Sequence, residues 1–89
     1  MGDLIELQIY ITAGTSNSEQ ALTQLKAALE NKPSGRFRLE IVDLKQEPLR
    51  GLIDGIVAIP TLQKKNGLQT ERLIGNLSDK VVLDSFLSA

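Results

Sequence analysis

The chain has no cysteine and no histidine among its 89 residues. Without cysteine there can be no disulfide, no zinc–thiolate site and no thiol redox chemistry. Without histidine the commonest metal ligand and the side chain best suited to proton transfer near neutral pH are both missing. Aromatic residues are scarce, 3% in all, represented by Tyr10, Phe37 and Phe86. The core must therefore be built from Leu, Ile and Val. Charge of one sign is lacking too: ten basic residues face eleven acidic ones, for a net charge of −1. Such a surface has no field to gather nucleic acid or anionic lipid, and offers little repulsion against self-association, so a homo-oligomer is an open expectation. The longest purely apolar run, Ile56 to Ile59, is far too short to span a membrane. Met1-Gly2-Asp3 opens acidic and does not read as a signal peptide. The expectation is a soluble, cytoplasmic, single domain over residues 1–89, with no metal, no cofactor and no enzymatic activity.

What is present is clear alternation. In "LIELQIYIT", Leu4 to Thr12, residues Ile5, Leu7, Ile9 and Ile11 recur at period two, which predicts a strand with one apolar face. In the following stretch Ser16 stands three residues before Glu19, the capping-box spacing. Leu22, Leu25 and Leu29 then recur at helical intervals. The expected helix runs from about Asn17 to Asn31 and ends at Pro33. "FRLEIVDL" alternates again from Phe37, with Phe37, Leu39 and Ile41 on one side and Arg38, Glu40 and Val42 on the other. Strand, helix and strand with this crossover make a βαβ unit, its two strands parallel.

"KQEPLRGLIDGIVAIP" predicts a short helix from Pro48 to about Asp54, since proline suits a first helical turn and Leu49, Leu52 and Ile53 have helical spacing. "TLQKKNGLQTERLI" predicts a hairpin turning at Asn66-Gly67, joining Thr61–Lys65 to Leu68–Ile74. "LIGNLSDKVVL" then packs a strand end, a turn at Gly75 and a helix start into one short stretch. Ser78 is the expected cap, with Leu77 and Val82 as a hydrophobic staple, and Val82, Leu83, Phe86 and Leu87 as the buried stripe.

The order βαβ then αββα is the thioredoxin layout, a mixed four-stranded α/β sheet in which a cis-proline precedes the third strand. Ile59-Pro60-Thr61 stands at that place. It reads either as a rigid turn at a strand entry or as that cis bond, which only X–Pro adopts cheaply. The loop that would carry a reactive C-x-x-C is Ala13 to Ser18, with hydroxyls and an amide but no thiol.

The residues of three segments resemble the KaiB family of bacterial circadian clock proteins. "LQIYITAGTSNSEQAL" is similar to the family's first strand and helix start, "LKLYVAGNTPNSVRAL". "IVDLKQEPLRGLIDGIVAIPTL" matches its middle at Asp43, Pro48, Ala58, Pro60, Thr61 and Leu62, and "RLIGNLSDKVVL" is similar to its "RIIGDLS". The likeness runs ungapped from Leu7 to about Leu83. It implies a non-enzymatic regulator that docks on KaiC, a hexameric ATPase, and on KaiA, in competition with a sensor histidine kinase carrying a related domain. It also implies fold switching in some members, whose tetrameric ground state has the order βαββααβ. The contact region implied by the family is Leu44 to Ile53, with Asp43, Lys45, Pro48, Leu49 and Leu52 as candidate partner-binding residues. Pro60, Asn66, Gly67, Gly75, Ser78 and Asp79 are the candidate fold-defining residues. The chain departs from the family at Ala13 and Asn76, where glycine and aspartate are usual, and lacks the acidic C-terminal tail of clock members. It also has Gly67-Leu68-Gln69 in place of a proline run. That last change favours a plain hairpin, hence the thioredoxin-like state.

Alternative readings attach to several residues. Ser16, Asn17 and Ser18 could bind an anion or merely cap a helix. Asp43 could touch a partner or be a solvated turn carboxylate. Lys64, Lys65 and Arg72 could form a small basic patch or a solvated edge that discourages strand pairing. Tyr10 could be a partner contact or lie half-buried under a helix. The corner from Gly75 to Asp79 has a glutathione-binding reading as in glutaredoxin-like proteins. The alternative functions are accordingly a sensory domain of a histidine kinase, or a small-ligand-binding protein on the thioredoxin fold without redox activity.

Overall fold

The computed structural model describes residues 4–33, 35–75 and 77–88. Along the chain come β1 (Ile5–Ile11), α1 (Ser16–Glu30), β2 (Phe37–Asp43), α2 (Pro48–Ile53), β3 (Thr61–Asn66), β4 (Gln69–Ile74) and α3 (Lys80–Leu87). The strands form one sheet in the order β2-β1-β3-β4. β1 pairs parallel with β2 and antiparallel with β3, and β3 pairs antiparallel with β4. This is the βαβαββα thioredoxin-like arrangement, and the Ile59–Pro60 bond is cis.

The alternation of β1 sends Ile5, Leu7, Ile9 and Ile11 to one face, where they join Ala21, Leu25 and Ala28 of α1, Leu62 of β3 and Leu83 and Leu87 of α3. Burial of these aliphatic side chains is the main driving force of the fold, each worth roughly 1.5–3 kcal/mol when fully enclosed. The opposite face is different in kind. Gln8, Tyr10, Val42, Thr61 and Gln63 are buried there.

Several local expectations shift by one residue. α1 begins at Ser16, with Thr15 rather than Ser16 at the cap position and no side-chain cap bond. The Thr12–Thr15 turn, closed by the Thr15 N–H to the Thr12 carbonyl at 3.2 Å, brings the chain into the helix sooner than the box spacing implies. Glu19 reaches back to the Gly14 N–H, and the Ser18 hydroxyl accepts from the Thr12 N–H. Ser18 is thus buried as a tie between β1 and α1.

At α3 the cap is Asp79, not Ser78: its carboxylate accepts from the Val81 and Val82 N–H groups at 3.0 and 3.3 Å. An anion there also complements the helix dipole, which a serine cannot do. The expected Leu77–Val82 staple is therefore lost: Leu77 and Leu83 are buried while Val82 is exposed. Asp79→Ala is expected to cost about 1 kcal/mol, read as a lowered urea midpoint at unchanged slope.

The hairpin also turns one residue later than expected. Asn66 pairs with Gln69, leaving Gly67-Leu68 as the two-residue loop. Gly67 has φ 63° and Leu68 is not at positive φ, which is what a type II′ turn with glycine first demands. In β2, Val42 is fully buried, whereas Ile41 is 41% exposed. β2 is an edge strand, and its outer end outruns the cover of the main core.

Lys64 overturns its expected place on a solvated edge. It pairs with Leu7 on the core face and is only 2% exposed. Its stem packs inside, and its Nζ donates to the Phe86 carbonyl at 2.5 Å, 4.8 Å from the centre of the Phe86 ring. A cation at the end of α3 meets the carbonyls that a helix leaves unpaired.

Candidate functional site

α2 and the turn after it, residues 50–55, are held against the polar face of the sheet. Pro48 starts α2 at its first turn. Gly51 is buried against Leu44, and a Cβ added to it would come within 3.2 Å of Leu44 Cδ1. Glycine thus lets α2 sit close to Leu44, and a larger residue would have to push that side chain aside. The helix ends in a Schellman motif: the Ile56 N–H bonds to the Gly51 carbonyl at 2.8 Å and the Gly55 N–H to the Leu52 carbonyl at 3.2 Å, with Gly55 at φ 68°.

The helix is amphipathic in the reverse of the usual sense. Its polar residues hold the sheet. Arg50 makes a two-pronged pair with Glu40 of β2, at 2.9 and 3.2 Å, and its Nε donates to Asp54 at 3.3 Å. The Tyr10 hydroxyl of β1 donates to the same Asp54 carboxylate at 2.7 Å. From β4, Arg72 donates to Gln63 at 2.8 Å, to the Gly55 carbonyl at 3.1 Å and to the Asp54 carbonyl. Gln63 in turn donates to Gln8 at 3.0 Å.

These groups tune one another. Burial and the hydrogen bond to the Asp54 carboxylate push the Tyr10 phenol up to about 12. The Tyr10 hydroxyl, followed by Arg50, holds Asp54 below the usual carboxylate range, and Arg50 does the same for Glu40.

The apolar residues point away. Leu49, Leu52, Ile53 and Val57 are 66%, 78%, 74% and 88% exposed. Ile59 is partly exposed further along the same segment. Large aliphatic side chains grouped in this way on one short stretch mark surface whose burial is favourable. What such a face can do is bind by excluding water.

Of the candidate partner-binding residues, Pro48, Leu49 and Leu52 stand together on α2, and Lys45 is exposed in the turn before it. Asp43 acts locally, where its carboxylate accepts from the Ala13 and Lys45 N–H groups at 3.3 and 3.0 Å and ties the end of β1 to the β2–α2 turn. Tyr10 is fully buried beneath the segment. Arg72 is engaged with the segment's carbonyls, which with Lys64 dissolves the supposed basic patch. Ile53, inside the expected contact region, is exposed, whereas sequence reasoning missed Val57 as surface and Arg50 and Asp54 as inward-facing groups. The signal was there in the i, i+4 spacing of Arg50 and Asp54.

Pro60, buried, and Gly75, at φ 98°, flank a separate open cavity of about 340 Å³, lined also by Asn17, Gln20 and Leu77. This is the place of the glutathione reading, of which Asn76 lies outside the described residues.

Residues 8–89 match the KaiB domain. The chain belongs to the KaiB family. The circadian clock oscillator protein KaiB of Prochlorococcus marinus subsp. pastoris is 39% identical over 74 residues, covering 83% of this chain and 69% of that protein. KaiB of Synechococcus elongatus is likewise 39% identical over 74 residues, covering 83% of this chain and 72% of its own length. Among solved structures, the N-terminal domain of Synechococcus elongatus SasA has a TM-score of 0.77 at 17% identity, covering 98% of this chain and 82% of that one. Chloroplastic thioredoxin z has a TM-score of 0.80 at 16% identity, covering 94% of this chain and 75% of that one. At such identities these two establish the fold alone. The KaiB relatives are named for the circadian clock and carry no enzyme name.

Proposed function

We propose that this protein is a non-enzymatic regulator that docks on a KaiC-type ATPase through α2 and the loop behind it. The observation that carries the reading is the outward apolar face of Leu49, Leu52 and Ile53 on a helix whose polar side is taken up by the sheet. Membership of the KaiB family supports the choice of partner, and a KaiA-like protein or a sensor histidine kinase are secondary candidates for the same network. A chain with neither thiol nor imidazole is also better suited to regulation by contact than by turnover.

The test is binding to a purified KaiC-type ATPase by sedimentation or surface plasmon resonance. Leu52→Asp is expected to weaken binding by roughly 30-fold or more, the scale of a central interface residue. Its melting temperature should hardly change, because the side chain is exposed. Equal affinity of the variant and the parent would refute α2 as the docking element.

A further inference from the structure

The register places Glu40 of β2, Gln8 of β1, Gln63 of β3 and Arg72 of β4 in one row across the sheet, on one face. Each strand thus contributes a polar side chain to the same line. Gln8 and Gln63 bond to each other in the middle, and the two ends of the row grip the α2 segment from opposite sides. Glu40 holds Arg50, while Arg72 holds the carbonyls of Asp54 and Gly55. Tyr10, two residues along β1, takes the Asp54 carboxylate between them. Within α2 itself only Gly51 is buried. The helix therefore has almost no apolar anchorage of its own and is fixed by hydrogen bonds.

We infer that this row is a clasp that positions the docking segment, with Arg72 and Tyr10 as its positioning residues. The inference rests on the docking reading for its use, while the clasp can be measured without any partner. A segment with few buried apolar contacts opens locally at lower free energy than the core. The clasp sets how often it is closed. Because Leu49, Leu52, Ile53 and Val57 are presented together only when it is closed, the closed fraction scales the apparent affinity. Arg72 suits this role because its planar fork can serve two carbonyls and Gln63 at once.

The experiment is amide hydrogen exchange on the full chain, parent against Arg72→Ala, Arg72→Lys and Tyr10→Phe, followed by binding to a KaiC-type ATPase. Arg72→Ala should speed exchange at the Gly51–Val57 amides about tenfold, the effect of losing roughly one net hydrogen bond. The β1 and α1 core amides should keep their protection. Arg72→Lys should recover only part, since one ammonium cannot span both carbonyls. Tyr10→Phe, which removes a single hydroxyl, should repeat the local pattern. Affinity for the ATPase should fall in proportion to the loss of closed fraction that the exchange data give. Unchanged exchange at 51–57, or acceleration spread evenly through the core, overturns the clasp. Local acceleration as expected in a parent protein that binds no KaiC-type ATPase overturns the docking reading alone.

Discussion

Leu62→Ala is expected to remove about 3–4 kcal/mol of stability, within the range for emptying a buried leucine site. Leu62 has no exposed surface and lies in register between Ile9 of β1 and Leu73 of β4. Truncation loses the transfer energy of the removed carbons and leaves a cavity between the sheet and the core residues of α1 and α3. A domain of this size has roughly 5–10 kcal/mol to lose, so the variant should unfold at a much lower urea concentration than the parent. The control is Leu68→Ala. Leu68 stands wholly exposed at the hairpin tip, at 105% of its reference surface, and its removal should change stability by less than about 0.5 kcal/mol. Urea unfolding of the two variants checks both numbers. Equal effects would mean that the sheet face defined by Ile9 and Leu62 is not the core.

The second large effect is an alkaline transition. Tyr10 is the only tyrosine, and there is no tryptophan, so near-ultraviolet phenolate absorbance reports this one group. Its pKa in the folded chain is raised from 10.0 to about 12. Below 10 the phenol is protonated in both states and its contribution to stability is fully present. Between 10 and 12 the unfolded chain gives up the proton while the folded chain keeps it, so stability falls as pH rises through that window. The difference corresponds to roughly 2–3 kcal/mol. Tyr10→Phe should flatten that part of the pH–stability curve. Ionisation of Tyr10 near its ordinary value, in a chain that is still folded by circular dichroism, would count against the buried Tyr10–Asp54 bond. On the acid side the sign reverses. Asp54 is held below its usual range chiefly by the Tyr10 hydroxyl, so its contribution is present above the ordinary carboxylate pKa and lost as pH falls through its lowered value. Tyr10→Phe should therefore also weaken resistance to acid.

The elements themselves were legible because their causes are local. Period two in Ile5 to Ile11, helical spacing in Leu22 to Leu29, Pro48 at a first turn and Gly67 beside Asn66 each act within a few residues of chain. The one-residue shifts at Thr15, Asp79 and Gly67 were less legible. Neighbouring residues there offer nearly equal caps or turns, and the packing of the flanking elements chooses among them. Asp79 takes the cap, with its carboxylate on the Val81 and Val82 N–H groups, and Leu77 and Leu83 are both buried beside it.

The candidate docking site was half legible. The spacing of Leu49, Leu52 and Ile53 points to a helix, but helical periodicity does not say which face turns inward. Here the polar face does, because the sheet beneath it offers Glu40, Tyr10, Gln63 and Arg72.

By itself, then, the amino-acid order determined the strand and helix sequence, the missing thiol and imidazole, and the likeness to KaiB. These rest on composition, on short-range periodicity and on identities at aligned positions. Only the tertiary structure decided that Lys64 lies inside, that Tyr10 is sealed under α2, and that α2 shows its leucines to solvent. Those outcomes depend on which groups are brought together from residues far apart in the chain. A lysine is tolerated inside only if a carbonyl such as that of Phe86 waits for it. A tyrosine hydroxyl is tolerated inside only if an acceptor, here the Asp54 carboxylate, does.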